Sequence, residues 1–365
     1  WVTYNERITS GKWMSPRTVS LLLLLLSQSF ESSAAFNASF HAVPLVDLAG
    51  SFDSTASTVR TALSEYGFFY ITNHGIPQEL IDRQFEQSRL LFEQPAAVKA
   101  AMPFNGTLDI GYLGSGGQAL DAEGRARDTK EGFMLTNNGV FDPSFVLSAD
   151  DPLAGATLHW PPEDALPKYE GVLRAYTAAL SRLNHRLNQL LFAAVGLGEA
   201  ERLELARQPF HVTKQLRYLP AEDFVDVDAG SLGAGAHADW GSLTILATDG
   251  QPGLEVEHSE AGWLPVPPRD GCLIVNAGDQ VKHWTNGELK SANHRVVVKS
   301  ARPRFSTAFF AYFDLWARLE ALPQFVSSAR PPMRPPETTL EFFHFKLGES
   351  VGNARERGGA LKEET

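Results

Sequence analysis

His237 and Asp239 stand two positions apart in the run Gly235-Ala236-His237-Ala238-Asp239-Trp240. On a strand, residues i and i+2 point to one face, so this pair can present an imidazole and a carboxylate side by side. A second imidazole from a distant strand would complete two histidines and one carboxylate on one side of a metal. Three coordination positions would stay open, which suits a non-haem Fe(II) centre that takes up O2 and a co-substrate. His294, fifty-five residues after Asp239, opens the strand-like run Arg295-Val296-Val297-Val298 and is the expected third ligand. His258 and His283 also lie downstream, and a His-x-Asp triplet alone fits a surface turn after Gly235 equally well.

Arg304 follows His294 by ten residues, and Ser306 comes two further on. If 304–313 is a strand, the two share a face. A buried arginine grips a carboxylate through two parallel hydrogen bonds, and a hydroxyl adds a third. That anchor fits the far end of a dicarboxylate whose keto-acid end chelates the metal. The plainer alternative is a surface arginine beside Pro303 and an ordinary strand serine. Other motifs carry less. The glycines from Gly230 to Gly235 have the wrong order for a dinucleotide loop, with no helix following. Gly114-Ser115-Gly116-Gly117 reads as a loop.

Bulk properties narrow the class. The 365 residues are 43% hydrophobic and 21% charged, a globular composition. Thirty-two basic against 43 acidic residues give a net charge of −11. That speaks against nucleic acid, which needs a basic footprint, and against anionic lipid surfaces. The one cysteine, Cys272, excludes an intramolecular disulfide and a zinc finger or ribbon. A metal here is held by imidazole and carboxylate.

The elements that must position these residues follow from periodicity. Val43–Leu48 and Phe68–Ile71 read as strands, 54–66 as a helix, and Pro77 opens a helix running through Phe92. Residues 103–165 read as long connections with short strands. Leu173, Tyr176, Leu180, Leu183, Leu187 and Leu190 form one stripe, so 168–196 is expected to be an amphipathic helix. Short β-rich runs follow at 212–219, 242–248, 254–257, 263–266, 272–276, 295–299 and 305–313, as in a sandwich or jelly roll. Asn286-Gly287 is a hairpin-type turn, Asp279 a turn residue between strands, and 337–346 a helix. Five regions result: a leader (1–40), an N-terminal region (41–150), connecting helices (151–209), a β-core (210–315) and a C-terminal segment with a helix (316–365).

The leader has Arg17, six leucines from Leu21 to Leu26, and the small residues Ser32-Ser33-Ala34-Ala35 before Phe36. This pattern describes a secretory signal, with Met14 as the expected start. Its Ala-Ala-Phe ending also resembles a plastid-targeting leader; without a working leader the chain stays in the cytoplasm. The leucine run is too short to span a bilayer. Asn37-Ala38-Ser39 and Asn105-Gly106-Thr107 match the glycosylation triplet, which matters only on a secretory route.

Taken together, these motifs resemble the isopenicillin N synthase-like family of 2-oxoglutarate- and Fe(II)-dependent oxygenases. The resemblance rests on Ala236-His237-Ala238-Asp239-Trp240-Gly241-Ser242-Leu243-Thr244-Ile245-Leu246, on Val275-Asn276-Ala277-Gly278-Asp279-Gln280 and on Lys290-Ser291-Ala292-Asn293-His294-Arg295-Val296. Arg304-Phe305-Ser306 matches the family's Arg-x-Ser. Val43–Leu48 and Gly67–Pro77 match its N-terminal segment, and the similarity spans about 43–348. It implies an α+β fold, a double-stranded β-helix (jelly-roll, cupin-like) core with a helical N-terminal half packed on it. It implies His237, Asp239 and His294 as Fe(II) ligands, with Arg304 and Ser306 holding the distal carboxylate of 2-oxoglutarate. His74 falls in a matching motif but reads as turn-forming.

The implied activity is oxidation, most simply hydroxylation, of a small organic molecule by a monomeric enzyme. Fe(II), 2-oxoglutarate and O2 would be required, and succinate and CO2 released. The competing functions are an oxidase of the same family that does not use 2-oxoglutarate and a non-catalytic β-sandwich binding protein. Tyr112, Phe133 and Phe313 are candidate pocket residues. One segment departs from the family pattern. In Leu216-Arg217-Tyr218-Leu219-Pro220, leucine stands where a co-substrate-binding tyrosine precedes proline. Counted from Pro220, Tyr218 is expected on the opposite side of the strand.

Overall fold

Residues 42–105, 110–115, 128, 130–136, 158–207, 209–220, 232–298, 300–346 and 348 are described by the computed structural model. The leader, the Asn37 triplet and Gly116-Gly117 lie outside them.

Two sheets face each other. The larger has eight strands: β1 (Leu45–Asp47), β2 (Phe68–Thr72), β3 (Gly111–Leu113), β4 (Lys130–Thr136), β5 (Pro209–Tyr218), β7 (Leu243–Thr248), β10 (Leu273–Ala277) and β12 (Arg304–Asp314). Their spatial order is β1-β2-β10-β7-β12-β5-β4-β3. The smaller sheet has four: β6 (Leu232–His237), β11 (His294–Val297), β8 (Leu254–His258) and β9 (Gly262–Pro265), paired in that order. Every pairing in both is antiparallel except β1 with β2. Between the sheets lie Phe68, Tyr70, Leu216 and Ile274 from the larger and Ala234, Leu254, Val256 and Val296 from the smaller. This is the expected jelly roll.

The larger sheet is buried on both faces, which is why β2, β7 and β10 read as nearly continuous apolar runs. On β12 the outward set Phe305, Phe309 and Phe313 packs on the helical layer. The inward set is Arg304, Ser306, Ala308 and Phe310. Register carries this division across the sheet: Arg304 pairs with Tyr218, Ser306 with Leu216, Ala308 with Lys214 and Phe310 with Val212.

The helices are α1 (Phe52–Glu65), α2 (Gln78–Phe92), α3 (Ala96–Ala100), α4 (Tyr169–Ala194), α5 (Glu199–Leu205) and α6 (Asp279–Trp284). Residues 339–346 are helical too. Pro77 caps α2 with extended backbone. All six members of the α4 stripe are buried, and each leucine so buried stabilises the fold by about 1.5–3 kcal/mol. No helix among the described residues is long and apolar enough to cross a membrane.

Two expectations are corrected. Asp279 is not an inter-strand turn residue; it begins α6. Asn286 (φ 49°) and Gly287 (φ 79°) do adopt the left-handed backbone of a tight turn, but the turn follows α6 and joins no hairpin.

Candidate metal centre and co-substrate anchor

His237 and His294 sit directly opposite each other where β6 and β11 pair, with ring centroids 4.4 Å apart. Each ring turns its Nδ1 toward a carbonyl two residues earlier: Gly235 O at 2.7 Å for His237 and Ala292 O at 3.3 Å for His294. Donation of Nδ1–H to these carbonyls fixes the tautomer and leaves Nε2 as the lone-pair nitrogen.

Asp239 reaches them by a different route from the one its spacing suggested. β6 ends at His237, and Asp239 lies in the loop beyond it. The first amides of α6 hold that loop: Gly278 N donates to Ser242 O at 2.9 Å, Asp279 N to Asp239 O at 2.8 Å and Gln280 N to Gly241 O at 3.2 Å. The approach needs glycine, because a Cβ on Gly278 would lie 2.3 Å from Gly241 O. Asp239 Oδ2 accepts from Thr244 Oγ1 at 2.6 Å and Asn276 Nδ2 at 2.7 Å. Oδ1 faces His237 Nε2 at 3.8 Å and His294 Nε2 at 3.6 Å.

The three potential ligand atoms lie within 4.8 Å of one another, and among the described residues this is the one cluster able to hold a metal ion. Burial pushes the His237 imidazole down to about 3, assisted by the nearby His294 ring and by the Lys130 ammonium. Burial alone would raise the Asp239 carboxyl. The two imidazoles and the hydrogen bonds from Asn276 and Thr244 outweigh it and hold the group below its ordinary range. A neutral imidazole and an ionised carboxylate are the forms that bind a divalent cation.

The rival histidines are elsewhere. His283 lies on α6 with Nδ1 3.7 Å from Glu337. His258 ends β8, where its Nδ1 accepts the Glu260 and Ala261 amides at 3.3 Å. His74 accepts the Ile76 amide at 3.2 Å, a turn-forming contact as expected.

Arg304 is 2% exposed and Ser306 1%. Arg304 Nε donates to Gln251 O at 3.3 Å, yet its Nη1 and the Ser306 Oγ are buried without a hydrogen-bond partner among the described residues. Neither group tolerates that state cheaply. A carboxylate laid across both would satisfy them, so these residues fit the distal end of 2-oxoglutarate. Tyr218 belongs here too, contrary to the count from Pro220. Pairing with Arg304 sets its side, and the guanidinium carbon lies 4.9 Å from its ring centroid. Arg217 takes the outward face and pairs with the buried Glu131. Outward also lie Phe133, against Trp160 and Tyr169, and Phe313, against Phe192 and Trp284. Tyr112 donates to Glu131 on the same side. These three do not line the inner face.

The 2OG-Fe(II) oxygenase superfamily matches residues 210–312, and the N-terminal region of non-haem dioxygenases in morphine synthesis matches 43–163. The chain is 31% identical over 332 residues to the 2-oxoglutarate-dependent dioxygenase caaD of Aspergillus niger, covering 87% of this chain and 97% of that protein. In structure it is similar to a full-length Neurospora crassa protein crystallised in complex with alpha-KG and thymine. The TM-score is 0.73 at 22% identity, over 84% of this chain and 96% of that one. JOX2 in complex with 2OG, Fe and JA superposes with a TM-score of 0.66 at 27% identity, over 83% and 84% of the two chains. The chain belongs to the 2-oxoglutarate- and Fe(II)-dependent oxygenases. It is accordingly an oxidoreductase that uses iron and 2-oxoglutarate.

Proposed function

We propose that His237, Asp239 and His294 hold Fe(II), that Arg304 and Ser306 clasp the distal carboxylate of 2-oxoglutarate, and that the enzyme oxidises a small organic molecule, most simply by hydroxylation. The observation that carries this is the pairing of a converged two-histidine, one-carboxylate cluster with a buried arginine Nη1 and serine Oγ that lack hydrogen-bond partners among the described residues. When bound, Fe(II) and 2-oxoglutarate with O2 supply oxidation of a C–H bond, with succinate and CO2 released. The protein's own part is geometric. Backbone carbonyls fix both imidazoles, Thr244 and Asn276 reserve one Asp239 oxygen, and the Tyr218 ring supports the guanidinium face.

The inner wall near the cluster suggests the substrate's character. Phe310 pairs with Thr244, the residue that holds Asp239, and Leu246 and Ala308 form the adjacent rung. Lys214 pairs with Ala308 and Met134, and its Nζ lies 5.5 Å from the Phe310 ring centroid. This wall suits an amphipathic molecule with an apolar body and one polar end. The ligands thymine and JA of the similar structures are small molecules as well. The chain would act as a monomer, and residues 1–40 as a targeting leader, testable by fusing them to a fluorescent reporter. The deciding experiment is a panel of small organic compounds scored by succinate release with Fe(II) and 2-oxoglutarate. Compound-dependent succinate formation is expected; oxidation of a compound with no succinate released would sink the 2-oxoglutarate role.

A further inference from the structure

Asp128 and Lys130 form a buried ion pair, Oδ2 to Nζ at 3.0 Å, with Asp128 2% and Lys130 8% exposed. The other Asp128 oxygen, Oδ1, accepts the Gly235 amide at 3.0 Å. Gly235 in turn offers its carbonyl to His237 Nδ1 at 2.7 Å. Glycine has the freest backbone of any residue, so nothing intrinsic to Gly235 aims that carbonyl. Its N–H is the handle by which the aim can be set.

We propose that Asp128 is a positioning residue for the metal centre: it clamps Gly235 so that the Gly235 carbonyl orients the His237 ring. The clamp reaches from the strand-β4 side of the larger sheet to β6 of the smaller one. Lys130 balances the carboxylate charge. It shares a register position with Tyr218, and through it with Arg304, so it also ties the clamp to the co-substrate anchor. This inference rests on the reading of His237, Asp239 and His294 as metal ligands.

The test separates the acceptor from the charge. Asp128→Asn with Lys130→Met keeps a side-chain oxygen for the Gly235 amide and removes both charges. Asp128→Ala with Lys130→Met removes the acceptor as well. Each is titrated with Co(II), an optical stand-in for Fe(II), and melted without metal. The asparagine double variant should bind Co(II) within about 3-fold of wild type. The alanine double variant should bind roughly 10–100-fold more weakly, the cost of losing an outer-shell partner, with a shifted Co(II) visible band and a melting temperature close to that of the asparagine variant. Should the alanine variant not fold, Asp128→Ser with Lys130→Met, whose short hydroxyl falls away from Gly235, takes its place. Equal Co(II) affinity and equal spectra for the two double variants overturn the proposal. A wild-type protein that takes up neither Co(II) nor Fe(II) overturns the metal-centre reading instead.

Discussion

Asn276 donates its side-chain amide to Asp239 Oδ2 at 2.7 Å from thirty-seven residues away in the chain. Asn276 lies on β10, a strand otherwise apolar and fully buried. Thr244, on the neighbouring strand β7 and directly in register with it, donates to the same oxygen at 2.6 Å. One rung of the larger sheet, shared by β10 and β7, thus decides which oxygen of a loop carboxylate is left over. A buried amide in such a strand costs stability unless it is fully used, and this one is used on a candidate ligand.

Replacing Asn276 by alanine should therefore weaken Fe(II) binding about 10–100-fold while 2-oxoglutarate still meets Arg304. Thr244→Val should act in the same direction. Anaerobic Fe(II) titration reads both, and wild-type affinity in the pair would show that Asp239 is aimed by its loop alone.

Truncation of the ligands should be harsher. His237→Ala and His294→Ala should abolish substrate-dependent succinate release while the protein still folds. Asp239→Glu should fail as well, because one added methylene moves the carboxylate by about 1 Å, beyond the tolerance of a preorganised site. His283→Ala should stay active, since that ring faces Glu337 and Phe342. Activity in the His294 variant together with loss in the His283 variant would reverse the assignment.

Co-substrate affinity should follow the anchor. Arg304→Ala leaves a buried anion without its partner, a loss of about 3–5 kcal/mol, or roughly 10²-fold or more in the dissociation constant. Ser306→Ala removes one hydrogen bond to a charged group, about 1.5–3 kcal/mol. Arg304→Lys keeps the charge without the planar fork and should retain part of the binding. Tyr218→Ala, which removes the ring under the guanidinium, should weaken 2-oxoglutarate more than Tyr218→Phe. Titration of 2-oxoglutarate into the anaerobic Fe(II) protein measures all of these variants. An Arg304→Ala protein that titrates like wild type would place the carboxylate elsewhere.

Acid should weaken the fold through a histidine outside the centre. His211 is buried against Phe309, with ring centroids 4.6 Å apart, and burial pushes its imidazole down to about 3 from 6.5. The unfolded chain takes up this proton near pH 6.5, the folded chain only near pH 3. Its contribution is whole above pH 6.5 and falls with pH across that window, by about 1.4 kcal/mol per unit. Denaturant unfolding of metal-free protein at pH 7, 6 and 5 should show a shallower decline for His211→Gln. Parallel declines would mean that the ring takes its proton in the folded state.

Much of this was legible in the residues, for physical reasons that also mark where legibility stops. Helix α4 and strands β5 and β12 carry enough apolar residues at a fixed period to declare themselves. β6 does not: Leu232-Gly233-Ala234-Gly235-Ala236-His237 has little intrinsic strand preference. Its glycine is a packing requirement, since a Cβ on Gly233 would lie 2.7 Å from the Tyr218 ring. With six residues, α6 is too short for a periodic signal. The candidate ligands His237, Asp239 and His294 came from residue type and the family resemblance, and they converge in the structure, although Asp239 lies off the strand that the spacing argument assumed. Tyr218 was misplaced because the count ran from Pro220, where the chain has left the sheet, rather than from its partner Arg304. Asn276 and Asp128 meet their partners across 37 and 107 residues, while Thr244 reaches Asp239 from five residues away but across the turn into β7; neither separation leaves a periodic signal.

The direct opposition of His237 and His294 across β6 and β11 reaches beyond chemistry into assembly. Sliding β11 by one residue would bring Asn293 or Arg295 opposite His237 and turn the His294 ring to the other face of the sheet. An ion seated between the two rings would thus act as a rivet, fastening one alignment of the small sheet and rejecting its neighbours. A chain that closed out of step could bind its metal only after reopening and zipping again, so iron uptake would proofread the final pairing of the roll.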